Sequence, residues 1–290
     1  MYYAPGVSHM SLSGLHFLLT YRCTESCDHC FVFGSPRAHG NFNLPTLCRM
    51  LDEGERLGTV DSIYFEGGEP FLLYDLLVAS VREARSRGWT VGVVTNAFWA
   101  TSPEAAAEKL RPLAALGLSD LSISDDELHG NIKRAATARA AARDLGIPAD
   151  SLHVDAGTPG SVMYRGRAAE KLAGQAPGQH WSTFTCCPHE QLHDPGRVHL
   201  DAGGWVHLCQ GLAMGNCLQT PLADLVQAYD PQRHPIVAPI LKGGPAELAR
   251  VFGLPDQELY ADACHLCYLV RSRLRGDFPL YLAPGHVYGE

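Results

Sequence analysis

The sequence predicts an α/β fold built on a parallel sheet, followed by a second region of different patterning. From residue 15 to about residue 155, short β-rich runs alternate with longer amphipathic or alanine-rich runs at a spacing of roughly thirty residues, the signature of consecutive βα units. Glycines stand where each helical run should stop, at Gly58, Gly88, Gly117 and Gly146. After Gly157 the chain becomes rich in glycine, proline and histidine, and six of the 14 histidines lie between His153 and His207.

Taken in order, the predicted strands are 15–20, 62–65, 90–95, 120–124 and 151–155, and the predicted helices between them are 44–57, 73–87, 103–116 and 127–145. Ser102 and Pro103 are suited to the N-cap and first position of the third helix. Right-handed crossovers between such strands make a parallel sheet. In the second region, 197–200 and 205–209 flank Asp201-Ala-Gly-Gly204 and read as a β-hairpin. Helices are expected at 222–229, 246–252 and 257–275, with linker chemistry at 253–258. No repeat beyond the βα period and no low-complexity tract is visible.

The composition is that of an ordinary globular chain: 290 residues, 46% hydrophobic, 19% charged, net charge −8. The basic residues, 19 of 23 of them arginine, are scattered among acids, so no nucleic-acid footprint forms. No apolar run is long enough to span a bilayer, and residues 1–13 lack the layout of a signal peptide. These features lead us to expect a cytoplasmic protein. Its ten cysteines fall in two clusters, which in a reducing compartment points to metal rather than disulfides.

Cys23, Cys27 and Cys30, in Tyr-Arg-Cys-Thr-Glu-Ser-Cys-Asp-His-Cys, follow the first predicted strand. Three thiols at C-x3-C-x2-C on one short loop can hold three corners of an iron–sulfur cube and leave the fourth iron without a protein ligand. A zinc knuckle is the alternative, although it usually uses paired C-x2-C spacings. His29 lies inside the loop, but a ligand adjacent to Cys30 is geometrically awkward.

The other notable residues fall at corresponding places. Glu66-Gly-Gly-Glu-Pro70 follows the second strand, Thr95-Asn96 ends the third, and residues 122–126 end the fourth. All lie at carboxyl ends of parallel strands, the edge where α/β sheets and barrels build their sites.

With these residues in place, the chain resembles the radical S-adenosylmethionine (radical SAM) superfamily. The resemblance implies a partial (β/α)6, TIM-like barrel over residues 1–185, with a sixth strand near 197–200 or earlier. It implies a 4Fe-4S cluster on Cys23, Cys27 and Cys30, whose unique iron is chelated by the amino and carboxylate groups of S-adenosyl-L-methionine. Gly67, Gly68, Glu69 and Pro70 match the family's GGEP element, whose carbonyls and glutamate would contact the methionine amino group. Thr95, Asn96, Ser122, Ser124 and Asp125 match positions that hold ribose and carboxylate in relatives, and Arg167, in Met163-Tyr-Arg-Gly-Arg-Ala168, could reach the carboxylate or be merely solvated.

The second cysteine set, Cys186, Cys187, Cys209, Cys217, Cys264 and Cys267, resembles the SPASM or shorter twitch extension, here residues 186–290 with a β-hairpin plus helices. No cysteine follows Cys267, so one auxiliary 4Fe-4S cluster is implied, on Cys187, Cys209, Cys264 and Cys267. Cys186 competes with Cys187, Cys217 is as readily a buried free thiol, and zinc remains an alternative for the four-thiolate set.

The implied activity is reductive cleavage of S-adenosylmethionine to a 5′-deoxyadenosyl radical that abstracts hydrogen from a substrate. An electron donor such as flavodoxin or ferredoxin would supply the electron at a potential of roughly −400 to −700 mV. Relatives with this extension most often modify ribosomally made peptides. Because only about twenty residues precede the cysteine loop, a separate partner would present the peptide. The alternatives are a small-molecule substrate such as a sugar, nucleotide or cofactor precursor, and a non-catalytic metal-binding or redox-sensing protein. Phe31, Phe33, Phe98 and Trp99 are candidates for lining the reaction chamber or for core filling, and Cys48 for a core thiol on a helix. Asp125, Asp126 and Glu127 could include a substrate contact, although acids that begin a helix also suit the positive end of its dipole, which is the plainer explanation for Asp126 and Glu127; His189, His193, His199 and His207 could suggest a metal, with surface or hydrogen-bonded placement the default for a lone one.

Overall fold

A computed structural model describes residues 10–158 and 160–290; residues 1–9 of the stretch read for a signal peptide lie outside the described residues. The first half runs β1 (Gly14–Thr20), α1 (Leu44–Leu57), β2 (Ser62–Gly67), α2 (Tyr74–Ser86), β3 (Thr90–Thr95), α3 (Pro103–Ala115), β4 (Asp120–Ser124), α4 (Ile132–Asp144) and β5 (Ala149–Leu152). The strands pair in parallel in the order β5-β4-β3-β2-β1. Consecutive right-handed crossovers in one direction put every helix on the same face, and α1 packs on α2, α2 on α3 and α3 on α4.

Period-two alternation decides which residues meet the helices. Leu15, Phe17, Ile63, Phe65, Val91, Val93, Leu121 and Ile123 are fully buried there, against Leu47 and Leu51 of α1, Leu77 and Val81 of α2, Leu110 and Leu113 of α3 and the alanines of α4. Burying each large aliphatic or aromatic side chain contributes about 1.5–3 kcal/mol. The opposite, concave face carries His16, Thr20, Tyr64, Glu66, Ser122 and Ser124. Gly92 lies there too, because a Cβ at that position would sit 2.2 Å from the Tyr64 ring.

Local signals explain the helix ends. Asn43 and Ser102 cap α1 and α3, accepting from Thr46 N at 2.9 Å and Ala105 N at 3.2 Å, and Gly58 closes α1 at φ 71°. Two elements differ from expectation. α4 begins at Ile132 rather than 127, because 126–130 forms a hydrogen-bonded turn that ends on Gly130 at φ 63°. β5 pairs two residues earlier than expected, with Leu121 opposite Ala149, and its largely exposed side chains leave little pattern to read.

The second half adds α5 (Arg167–Lys171), β6 (Gln179–His180), β7 (Arg197–Asp201), β8 (Trp205–Cys209), β9 (Leu212–Asn216), α6 (Leu222–Ala228), α7 (Val237–Phe252), β10 (Leu259–Tyr260) and α8 (Ala263–Leu274). The expected hairpin is β7 and β8, and β9 extends it to a three-stranded meander. β7 is a sixth parallel strand, but it pairs with β1 on the side away from β2, so one eight-stranded sheet carries both regions. The predicted helix 246–252 is the end of α7, which kinks at Gly243 and Gly244. α8 starts at Ala263, six residues later than expected, because Asp262 caps it by accepting from His265 N at 2.6 Å. Among the described residues no helix is long and apolar enough to cross a membrane.

Candidate active site

The loop after β1 and the loop after β2 are zipped together at the carboxyl edge of the sheet. Gly68 N donates to Thr20 O at 2.6 Å and Glu69 N to Arg22 O at 2.9 Å. Only glycine permits this approach, since a Cβ on Gly68 would lie 2.2 Å from Arg22 O. Cys23 N donates to Ser35 O at 3.0 Å, Cys30 N to Cys27 O at 3.1 Å, and Cys30 Sγ accepts from Gly34 N at 3.2 Å. Cys23, Cys27 and Cys30 then line one cavity of about 350 Å³ together with Gly67, Gly68, Thr95, Asn96 and Ser124.

All ten cysteines are unpaired. Burial first, and then the Glu69 carboxylate and the Cys30 thiol, push Cys23 up to about 11; burial and the other two thiols push Cys27 up to about 12. Three unpaired thiols converging on one cavity are the donor set of a metal centre, and a bound cation would favour their thiolate forms.

Glu69 is placed differently from Gly67 and Gly68. Its carboxylate is fully buried behind the cavity wall and accepts from Phe71 N at 3.0 Å, Thr95 Oγ1 at 2.9 Å and Asn96 N at 2.7 Å. Burial pushes its pKa up to about 7 against the pull of those donors. Thr95 Oγ1 accepts in turn from Trp99 Nε1 and Ala97 N, each at 3.0 Å, while Asn96 Nδ2 reaches Thr24 Oγ1 at 3.0 Å and Cys23 Sγ at 3.5 Å. Glu69 therefore fastens the end of β3 to the cysteine loop. Pro70 starts a short 3-10 turn and is buried beside it.

At the end of β4 the sequence reading needs correction. Ser124 lines the cavity, but Ser122 bonds to Asp120 at 2.8 Å, and Asp125 turns away to pair with Arg139 at 3.0 Å. Of the acids at this strand end, the one that lines the cavity is Asp126, wholly buried, accepting from His129 N at 2.9 Å and lying 2.8 Å from His129 Nδ1. No helix starts at Asp126, so the dipole explanation does not apply to it. His129 stands edge-on to His29 of the cysteine loop at 4.5 Å, and burial pushes His29 down to about 4.

A parallel exchange occurs between two arginines. Arg167 lies beneath the cysteine loop, where its backbone N donates to Cys30 O at 2.9 Å, Nη1 to Cys27 O at 2.7 Å and Nη2 to Gly34 O at 2.9 Å. It is among neither the solvated arginines nor the residues lining the cavity. Arg165 lines the cavity instead, with its guanidinium 5.5 Å from the Phe31 ring. Gly166 between them has φ 59°, and a Cβ there would meet Cys30 O at 2.7 Å.

Cys187, Cys209, Cys264 and Cys267 converge on a second, smaller cavity. Cys186 points outward to solvent, and Cys217 is held apart, its Sγ donating to Gly204 O at 3.1 Å. Two buried guanidiniums border the four thiols: Arg165, whose Nη1 donates to Cys209 Sγ at 3.0 Å, and Arg271. The Nε of each has no hydrogen-bond partner. Two buried cations beside four thiols match an anionic thiolate cluster better than a neutral thiol core.

Of the aromatic candidates, Phe31 lines the cavity, Phe33 lies under Arg167 at 5.5 Å, Phe98 packs against the core, and Trp99 stacks on Phe71 at 4.4 Å. Cys48 is half-buried on α1 and lines neither cavity. His189 and His193 are exposed, whereas His207 is buried beside Asp201, which also accepts from the Tyr21 hydroxyl at 2.7 Å.

The family model described as the Radical SAM superfamily matches residues 17–154. The chain is 28% identical over 119 residues, 41% of its own length and 37% of the relative's, to YydG of Bacillus subtilis (strain 168), described as a candidate peptide biosynthesis protein. It is 31% identical over 115 residues, 39% of its length and 31% of the relative's, to the tungsten-containing aldehyde ferredoxin oxidoreductase cofactor-modifying protein of Pyrococcus furiosus. The chain thus spans 37% and 31% of these curated relatives. Among solved structures, BtrN in complex with AdoMet and 2-DOIA aligns with a TM-score of 0.51 at 15% identity, over 80% of this chain and 87% of that one, a likeness of fold.

Proposed function

The chain belongs to the radical SAM superfamily through its residues 17–154, and we propose that it is an enzyme that cleaves S-adenosylmethionine reductively at a 4Fe-4S cluster on Cys23, Cys27 and Cys30. The observation that carries this reading is the convergence of those three unpaired thiols with Gly67, Gly68 and Asn96 on one cavity. The donor set fits the cluster: three unpaired thiols that line one cavity, on a loop held in shape by Arg167. When bound, the cluster and S-adenosylmethionine supply a 5′-deoxyadenosyl radical that abstracts hydrogen from a substrate.

The chain's own residues do the rest by position. Gly67 and Gly68 leave backbone carbonyls free of side-chain cover for an ammonium group, Asn96 and Ser124 offer polar groups for ribose and carboxylate, and Glu69 and Thr95 hold Asn96 in place. Phe31, Val154, Val162 and Met163 give the wall an apolar stretch that would keep water from the reacting C–H.

We assign residues 1–185 to the radical SAM core and residues 186–290 to a twitch-like region whose Cys187, Cys209, Cys264 and Cys267 hold an auxiliary 4Fe-4S cluster. The convergence of those thiols with Arg165 and Arg271 supports this. A ribosomally made peptide is the substrate class we favour, on the similarity to YydG. The partners are then an electron donor of the flavodoxin or ferredoxin type and a protein that presents the precursor, and the compartment is the cytoplasm. The second reading, a small molecule, is favoured by the size of the cavity and by the cofactor-modifying relative.

The test is anaerobic reconstitution of the full chain followed by incubation with S-adenosylmethionine and dithionite. A brown protein that releases 5′-deoxyadenosine is expected. A colourless zinc protein without cleavage would overturn the proposal in favour of a non-catalytic metal-binding role. Incubating the active protein with a short peptide encoded beside its gene then separates the two substrate classes.

A further inference from the structure

The concave face of the sheet carries a group of side chains that the proposed function leaves unused. His16 of β1, Glu66 of β2 and His199 of β7 stand on three neighbouring strands, with His16 in register with His199 and Leu18 with Glu66. Glu66 Oε1 lies 2.7 Å from His16 Nδ1 and 3.2 Å from His199 Nε2, and the three donor atoms lie within 4.8 Å of one another. The side chains are 19%, 11% and 8% exposed for His16, Glu66 and His199.

We propose that His16, Glu66 and His199 form a binding site for one divalent first-row transition metal, of the Fe(II), Mn(II) or Zn(II) class. Two imidazoles and a carboxylate are the donor set such metals take with coordination positions left open. With metal–nitrogen and metal–oxygen bonds of about 2.1 Å, adjacent ligand atoms stand about 3.0 Å apart, close to the two separations measured. Both nitrogens converge on the same carboxylate oxygen, whereas a carboxylate that merely accepts two hydrogen bonds has a second oxygen to offer.

The ligands are also held in place before any metal arrives. The His16 ring stacks on Tyr64 at 4.8 Å and 18°, and meets His199 edge-on at 5.0 Å. Tyr64 can lie flat there because residue 92 is glycine.

Access exists from two sides. Glu66 lines the cavity of the cysteine loop, and His16 borders a separate depression with Ser62, Glu190 and Arg197. A metal on Glu66 Oε1 would lie at the boundary of the substrate cavity, where an open position could take an oxygen donor of the substrate. The site does not rest on the radical chemistry, because none of its ligands belongs to either thiol set.

The experiment is a titration of the anaerobic, iron-loaded full chain with Mn(II), followed by the electron paramagnetic resonance signal of the free ion. Thiolate sites disfavour this hard metal, so uptake reports a nitrogen–oxygen site, and the ligand variants separate this one from the second such group, His29, Asp126 and His129. Uptake of one Mn(II) per chain is expected, weakened at least about tenfold in Glu66→Gln and in His199→Asn at unchanged iron content and circular dichroism. The Cys23→Ala chain should bind Mn(II) as the wild type does even though it no longer cleaves S-adenosylmethionine. Should a ligand variant not fold, pulsed electron resonance on His129→Asn, in which the second two-imidazole group is broken, decides: couplings from two imidazole nitrogens to bound Mn(II) are expected. Failure of the wild type to take up Mn(II), uptake that both ligand variants leave unchanged, or bound Mn(II) without nitrogen couplings would overturn the site.

Discussion

Arg165 and Cys209 are bound together: the guanidinium Nη1 donates to the thiol sulfur over 3.0 Å, although Arg165 also faces the cavity of the other cysteine loop. Arg165 is fully desolvated, with Glu190 as its acidic neighbour at 3.6 Å. A cation placed this way favours electron-rich sulfur. In Arg165→Met, the reduction potential of the centre on Cys187, Cys209, Cys264 and Cys267 should shift to more negative values, because the more anionic reduced state loses its counter-charge. Arg165→Lys should fall between the two, since lysine keeps the charge without the planar fork. Redox titration monitored by electron paramagnetic resonance checks the order.

Cysteine replacements should sort by cavity. Cys187→Ala, Cys264→Ala and Cys267→Ala should lose the iron of the second centre, while Cys186→Ala and Cys217→Ala keep it, because Cys186 faces solvent and Cys217 is occupied with Gly204. Replacing Cys23, Cys27 or Cys30 should abolish 5′-deoxyadenosine release and spare the second centre. Iron and sulfide content of each purified variant provides the measurement.

Gly68→Ala should destabilise the fold by roughly 3 kcal/mol or more, because the added methyl meets backbone rather than a movable side chain. Gly58→Ala meets nothing within 4 Å and should cost only about 1 kcal/mol, for its left-handed backbone. Urea denaturation of both variants tests the contrast, and equal losses would contradict the interlocking of the two loops.

Glu69 should make stability depend on pH near neutrality. Its pKa is raised from 4.5 to about 7 by burial, so the folded chain binds the proton more tightly than the unfolded chain. The resulting stabilisation is fully present below about pH 4.5 and is lost as pH rises through about 7, by as much as roughly 3 kcal/mol. In Glu69→Gln that decline should vanish from a denaturation series between pH 4.5 and 8.

The elements that sequence reading recovered are those with local signals. Ser102 with Pro103, Gly58, and the alternation of Leu15, Phe17 and Leu19 each specify their element without help from distant residues. The cysteine spacing was legible for the same reason. What could not be read depends on chain direction at single peptides. Gly166 at φ 59° reverses the chain, so Arg165 rather than Arg167 faces the cavity, and the turn that delays α4 makes Asp126 rather than Asp125 the lining carboxylate. β9 escaped because Gln210 and Gly211, the latter at φ 78°, make too short a connection to stand out in the sequence. His16 and Glu66 did carry a signal, since both interrupt the apolar strands on the face opposite the helices.

β1 is flanked by β2 on one side and β7 on the other, and it runs directly into the loop that bears Cys23. Among the described residues, therefore, no seam separates the two cysteine-bearing regions so that they could swing apart: parting them means stripping a full ladder from the central strand. Occupancy at one metal centre should raise the melting temperature of the whole molecule, and calorimetry should record a single cooperative endotherm instead of two.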